Sequence, residues 1–202
     1  MWQPRALLEW WFGPPGSLKA QIDARHGLWF GKRDAQDDDA RQRFGHDVAR
    51  ALAGELDAHV SSAEHWLALL LLLDQLPRML FRDSGQAFSG DALAQRWVAH
   101  GLAQGWQESL NPLQRVFVYL VLEHHEHLPS QTQAVQVFND LLHEVERCEP
   151  AAAPDFANFL HYAELHRDVI ARFGRYPHRN ALLGRPSTPE ELAFLRQPGS
   201  SF

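Results

Sequence analysis

The 202-residue sequence predicts one all-α domain of about eight helices, spanning residues 1–202. Three observations lead there. Helix-start signatures recur along the chain, apolar residues recur at helical spacing, and strand-like alternation is missing. A chain of this length has room for one substantial core. Hydrophobic residues at 45% and charged residues at 22% are an ordinary globular balance.

The elements follow in order. Residues 5–12 form a short helix ended by Gly13, Pro14 and Pro15. Residues 36–57 carry Phe44, Val48, Ala51, Leu52 and Leu56 close to helical spacing. Asp37, Asp38 and Asp39 read as the solvated start of that helix, favourable near the positive end of its dipole. Ser61 with Glu64 makes a capping box before WLALLLLL, residues 66–73. That run is apolar on every face, so its helix should be central, with Pro77 perturbing its end. Residues 90–104 give another helix, closed near Gly105.

Asn111 and Pro112 supply an N-cap and a first-turn proline for a helix running to about His127. Ser130 and Gln133 start the next, toward Arg147, and residues 148–154 read as a linker. Residues 154–173 form a helix stopped by Gly174. Thr188, Pro189 and Glu191 open a last short helix.

The formal net charge of -6 gives no global case for nucleic acid or for an anionic membrane. Eight apolar residues are too few to span a bilayer, which takes about 20. The N-terminus has no signal-peptide pattern, and Cys148 is the only cysteine, so a cytoplasmic location is expected. Cys148 lies beside glutamates and is a poor nucleophile. The seven tryptophans read as packing residues, although Trp10 and Trp11 could border a cleft. Of nineteen cations only Lys19 and Lys32 are lysines, leaving seventeen arginines. Codon bias would produce that excess; so would a need for the guanidinium fork, which grips carboxylate or phosphate at two points.

Three polar clusters stand out. In LDQLPRMLFR, residues 73–82, Asp74 and Gln75 follow the most apolar helix, and Arg78 and Arg82 share a face with Asp74 if helical geometry survives Pro77. The bland reading is a buried ionic clamp; the functional one is an arginine facing an anion. In LEHHEHLPSQ, residues 122–131, His124 and Glu126 suggest an acid/base pair. The Glu-x-x-His pattern of di-iron bundles is absent, and neither a metal nor a cofactor is expected. In RFGRYPHRNALLGR, residues 172–185, four arginines, His178 and Asn180 sit in a loop after Gly174, preceded by His166 on the helix that feeds it. Arg172, Arg175, Arg179 and Arg185 either cap neighbouring helices or line a site.

These pieces, with WFG (29–31), AFSGDALA (87–94), FVYLVLEHHE (117–126) and residues 166–195, resemble the bacterial family known as domain of unknown function 924. The resemblance implies a TPR-like α-α superhelix and no established activity. The family's motif residues fall on Asp74, Gln75, Arg78, Arg82, His124, Glu126, His166, Arg172, Arg175, His178, Arg179, Asn180 and Arg185. Met79, His125, His127 and Tyr176 depart from the family's usual residues.

The leading expectation is a small-molecule-binding protein or an enzyme acting on an anionic carboxylate or phosphate metabolite. His124, Glu126 and His178 would move protons. Asp74, Gln75, Arg78, Arg82, His166, Arg172, Arg175, Arg179, Asn180 and Arg185 would bind the ligand. The alternatives are a TPR-like adaptor for a protein or peptide partner, and a polar network that only fixes the fold. The first needs the three clusters to meet in space, with His124 and Arg179 on one face.

Overall fold

A computed structural model describes residues 2–200. Among them there is no strand, and nine α-helices account for most of the chain. They are α1 (Arg5–Phe12), α2 (Leu18–Trp29), α3 (Asp34–Leu52), α4 (63–80), α5 (Asp91–Ala103), α6 (Pro112–Glu123), α7 (Leu128–Cys148), α8 (Ala153–Phe173) and α9 (Pro189–Leu195). Among the described residues, no helix is long and apolar enough to cross a membrane.

The helix starts are set by short polar side chains. Ser17 caps α2 by accepting from Ala20 N–H at 3.2 Å. Thr188 with Glu191 closes the predicted reciprocal capping box, and Asn111, expected as an N-cap, closes a second one with Gln114. For α4 the cap is Ser62, which accepts from His65 N–H, one residue after the expected Ser61. Gly174 ends α8 at φ 69°, the left-handed position that favours glycine.

Five boundaries differ from expectation. Helix α3 spans Asp34–Leu52 and so ends five residues before the expected residue 57, leaving Leu56 outside it. The whole of α2 is additional, because its apolar residues Leu18, Ile22, Leu28 and Trp29 make only a broken stripe. Helix α6 ends at Glu123, four residues before His127, so residues 124–127 form a turn. Helix α7 starts at Leu128 rather than Ser130. The segment 148–154 is a tight turn more than a linker: Cys148 ends α7 and Pro150–Ala152 form a 3-10 turn. There Glu149 accepts from the N–H groups of Leu18 and Lys19, both at 3.0 Å, and so caps α2 from across the molecule.

Helix α4 is central, as its all-round apolarity predicts. Trp66 through Leu73 are at most 1% exposed, and α4 packs against α1, α3, α5 and α6. Helices α7 and α8 make the most extensive pair, and α7 also packs on α6. One contiguous core runs from Trp2 to Ala163. A small satellite of Val169, Ile170 and Tyr176 is closed by Phe173 and Phe194.

Pro77 leaves its mark inside α4. Lacking an N–H, it cannot bond to the Leu73 carbonyl one turn back. The helix widens over Leu71–Gln75 into a π-turn, in which Leu76 N–H donates to Leu71 O, before resuming over Leu76–Leu80. The Leu73 carbonyl is packed instead by Gly90, where a Cβ would lie 2.1 Å from that oxygen. Only glycine fits there. This close approach places Asp91, the first residue of α5, beside the π-turn that carries Asp74.

Candidate functional site

Asp74 lies on the π-turn and is 1% exposed. Buried carboxylates need partners, and three of them converge. Gln75 Nε2 donates to Oδ2 at 2.6 Å, Arg78 Nη1 lies 3.1 Å from Oδ1, and His124 Nδ1 lies 2.8 and 2.9 Å from the two oxygens. Burial alone would raise the Asp74 pKa, but Arg78 and His124 outweigh it and hold the carboxyl below its ordinary range. Asp74 is therefore an anion. Burial lowers the His124 pKa despite Asp74, so the imidazole is neutral near pH 7. A neutral imidazole donating from Nδ1 to Asp74 carries its lone pair on Nε2. Among the described residues Nε2 has no hydrogen-bond partner, and the side chain is 15% exposed.

A second layer joins the first and third sequence clusters. Asp91 accepts from Arg78 Nη1 at 3.0 Å and Nη2 at 3.2 Å, and from Arg179 Nη1 at 3.2 Å. The same Arg179 nitrogen reaches the His124 carbonyl at 3.1 Å. His124 and Arg179 thus share one face, and the clusters meet. Arg179 is 5% exposed and lies between two aromatic rings, 4.7 Å from the Phe88 centroid and 4.5 Å from that of Tyr176. Burial lowers its pKa. Two carboxylates and two guanidiniums are present here, so the fixed charges of this layer cancel.

Beneath lie Glu123 and His166. His166 Nδ1 lies 2.8 Å from Tyr162 O and 3.1 Å from Glu123 Oε1. Close as it is, the contact with Glu123 is no ion pair. Burial, reinforced by the charge on Asp74, raises the Glu123 pKa well above ordinary, and burial pushes His166 down to about 3. His166 is therefore neutral near pH 7, and Glu123 is biased toward its protonated form. His166 is 6% exposed and stands behind His124, with ring centroids 6.4 Å apart, as support rather than as a ligand group.

The rest of the 172–185 loop forms an adjoining clasp. Glu126 accepts from Arg185 at 2.6 and 2.9 Å and from Tyr176 N–H at 2.7 Å. Burial opposes its charge, but Arg185 and that N–H outweigh burial and lower its pKa. Glu126 is thus occupied, and the expected His124–Glu126 acid/base pair does not form. Asn180, 1% exposed, accepts from Arg185 Nε and donates to Ser187 Oγ, both at 3.0 Å. Arg175 grips the buried Glu191 at 2.6 and 2.8 Å and holds its carboxyl down to about 2. His178 stacks beside Tyr176, ring centroids 5.5 Å apart, and burial lowers it to about 4.

Two expected ligand residues lie outside. Helix α4 ends at Leu80, so Arg82 leaves the face of Asp74 and ion-pairs with Asp37, also reaching Gly31 O at 3.3 Å. Asp37 is accordingly buried, not the solvated helix start expected of it. Arg172 forms an exposed pair with Glu190 at 2.8 Å. Among the described residues, no three His, Cys, Asp or Glu side chains gather to hold a metal ion.

Four site residues escaped the reading of cluster chemistry: Asp91, Phe88, Tyr176 and Gln131. Asp91 had a signal, an acid at the first turn of a helix after Ser-Gly. Tyr176 donates its hydroxyl to Glu123 O and accepts from Gln131 Nε2 at 2.8 Å, two hydrogen bonds that depend on the phenol oxygen. His125 and His127 both contact Ser130 Oγ, at 2.9 and 3.1 Å, and stay outside the network.

The profile of a bacterial protein family of unknown function, DUF924, matches residues 7–199. The structure of ATU0120, a protein of unknown function from Agrobacterium tumefaciens, is similar at 34% identity, covering 96% of each chain, with a TM-score of 0.77. No curated protein matches the sequence.

Proposed function

We propose that this chain, which belongs to the DUF924 family of bacterial proteins of unknown function, is a small-molecule enzyme whose proton acceptor is His124. The observation that carries this reading is the Asp74–His124 dyad. Asp74 fixes the Nδ1 tautomer, which leaves the Nε2 lone pair for a substrate proton or an attacking water. Its placement on a π-turn agrees, since such turns are frequent at functional sites. Three buried polar atoms nearby, Arg179 Nε, Glu123 Oε2 and Gln131 Oε1, lack a hydrogen-bond partner, so the network is not closed on itself. An anionic substrate group would meet Arg78 and Arg179 only by sharing them with Asp91, whose side chain is 23% exposed.

One observation favours a second reading, in which the network only fixes the fold. Each arginine expected to grip an anion already holds a carboxylate of this chain. The same fact weakens the adaptor reading, which needs those arginines for a partner's carboxylate. We read the packing of α3 on α4, α5 on α6 and α7 on α8 as TPR-like helix pairing, supported by these being consecutive helices in contact.

The test is thermal melting of wild type and His124→Gln against carboxylates, phosphates, nucleotides and amino acids. The enzyme reading expects one chemical class to raise the wild-type melting temperature and leave that of a folded His124→Gln chain unmoved. No class acting on wild type, together with a strongly destabilised His124→Gln, would establish the structural reading instead.

A further inference from the structure

A half-open cleft of about 520 Å³ lies away from this network, between α1, α2 and the start of α3. That volume suits a small ligand. Trp10, Leu28 and Ala24 form its apolar part, and Arg25, Arg33 and Gln36 its polar part. The sequence left open whether Trp10 and Trp11 border a cleft; Trp11 is fully buried, and Trp10 lines this one.

Its charges differ from those elsewhere. The arginines of the His124 network and its clasp hold carboxylates, whereas Arg25 and Arg33 have no ion pair among the described residues. Both guanidiniums lie against glycines. That of Arg25 lies against Gly13, where a Cβ would sit 2.7 Å from Nε, and that of Arg33 lies over Gly27, 3.4 Å from such a position. The carboxylates lining the cleft are already engaged: Asp23 by Lys19, and Asp39 by Arg43 at 3.0 Å and by Trp10 Nε1 at 2.7 Å. The two arginines are thus the uncompensated charges of the lining. The 19-residue helix α3 starts at the rim, which places Arg33, its N-terminal flanking residue, beside the cleft.

We propose that this cleft binds a small molecule carrying a carboxylate or phosphate group and an apolar body. Arg25 and Arg33 grip the anion, while Trp10 and Leu28 cover the body. The site is independent of the His124 reading and stands if that reading fails.

Isothermal titration of the full chain with benzoate and with phenyl phosphate tests it, since these probes carry the two anions on one body. At least one should bind, with affinity that falls as salt rises. Binding should weaken about ten-fold or more in Arg25→Gln/Arg33→Gln and stay unchanged in His124→Gln. Ala35→Glu is the second variant. It places a carboxylate at the rim on an exposed first-turn position, where acid suits the helix, and should abolish binding with folding intact. Failure of both probes to bind wild type up to about 10 mM, or binding equal to wild type in Arg25→Gln/Arg33→Gln or in Ala35→Glu, would overturn the proposal.

Discussion

Asp74 joins Arg78 of the first polar cluster to His124 of the second through one carboxylate. Asp74→Asn keeps the shape and removes the charge, leaving Arg78 and Arg179 with Asp91 alone. Breaking a buried ionic group by removing one partner costs about 3–5 kcal/mol. Asp74→Asn is accordingly expected to lower the urea midpoint strongly, whereas Arg172→Ala, which opens an exposed pair, should change stability by less than about 1 kcal/mol. A small effect at Asp74 would show that the network is not a charged unit. This residue-scale chemistry was only half legible. Arginine and histidine density pointed to the right stretches, and all the expected site residues except Arg82 and Arg172 lie in the network or its clasp. Their partners Asp37, Asp91 and Glu191 were not foreseen, because each is distant in sequence or hidden in a helix-start signature.

At the scale of elements, the π-turn in α4 and the Gly90 contact are one device. Pro77 frees the Leu73 carbonyl, the helix widens, and Gly90 enters close enough to bring Asp91 into place. Gly90→Ala would force a Cβ to within 2.1 Å of that oxygen, and overpacking of this kind typically costs about 1–3 kcal/mol. The expected result is a lowered midpoint together with a disturbed Arg78–Asp91 pair; a Gly90→Ala chain as stable as wild type would contradict this account of the turn. Helices with strong caps were legible: Asn111 and Thr188 marked their starts to the residue. Helix α2 was not, since its apolar stripe is broken and its Ser17 cap is supplemented by Glu149, far away in sequence.

At the scale of the whole molecule, three neutral histidines tie stability to pH. His166 and His178 are pushed down to about 3 and about 4, and His124 is lowered too. Unfolded histidines titrate near ~6.5. Below that pH the unfolded chain binds more protons than the folded one, so stability falls with pH by up to about 1.4 kcal/mol per unit for each histidine. Glu123 has the opposite sign: its raised pKa gives stability that is full below about pH 4.5 and is lost as pH rises. Three groups against one make the histidines dominant. The urea midpoint is expected to drop between about pH 7 and about pH 5, well above the range where Glu191, held at about 2, gives up its contribution. A flat profile would mean that these histidines are charged in the folded state.

The central claim is that Asp74 holds His124 neutral, with its proton on Nδ1 and its lone pair on Nε2. Nitrogen-15 NMR of the His124 ring near pH 7 reads this directly. The account predicts a protonated Nδ1, an unprotonated Nε2 and a pKa below the ordinary histidine value. A proton on Nε2, or a charged ring at that pH, would contradict it.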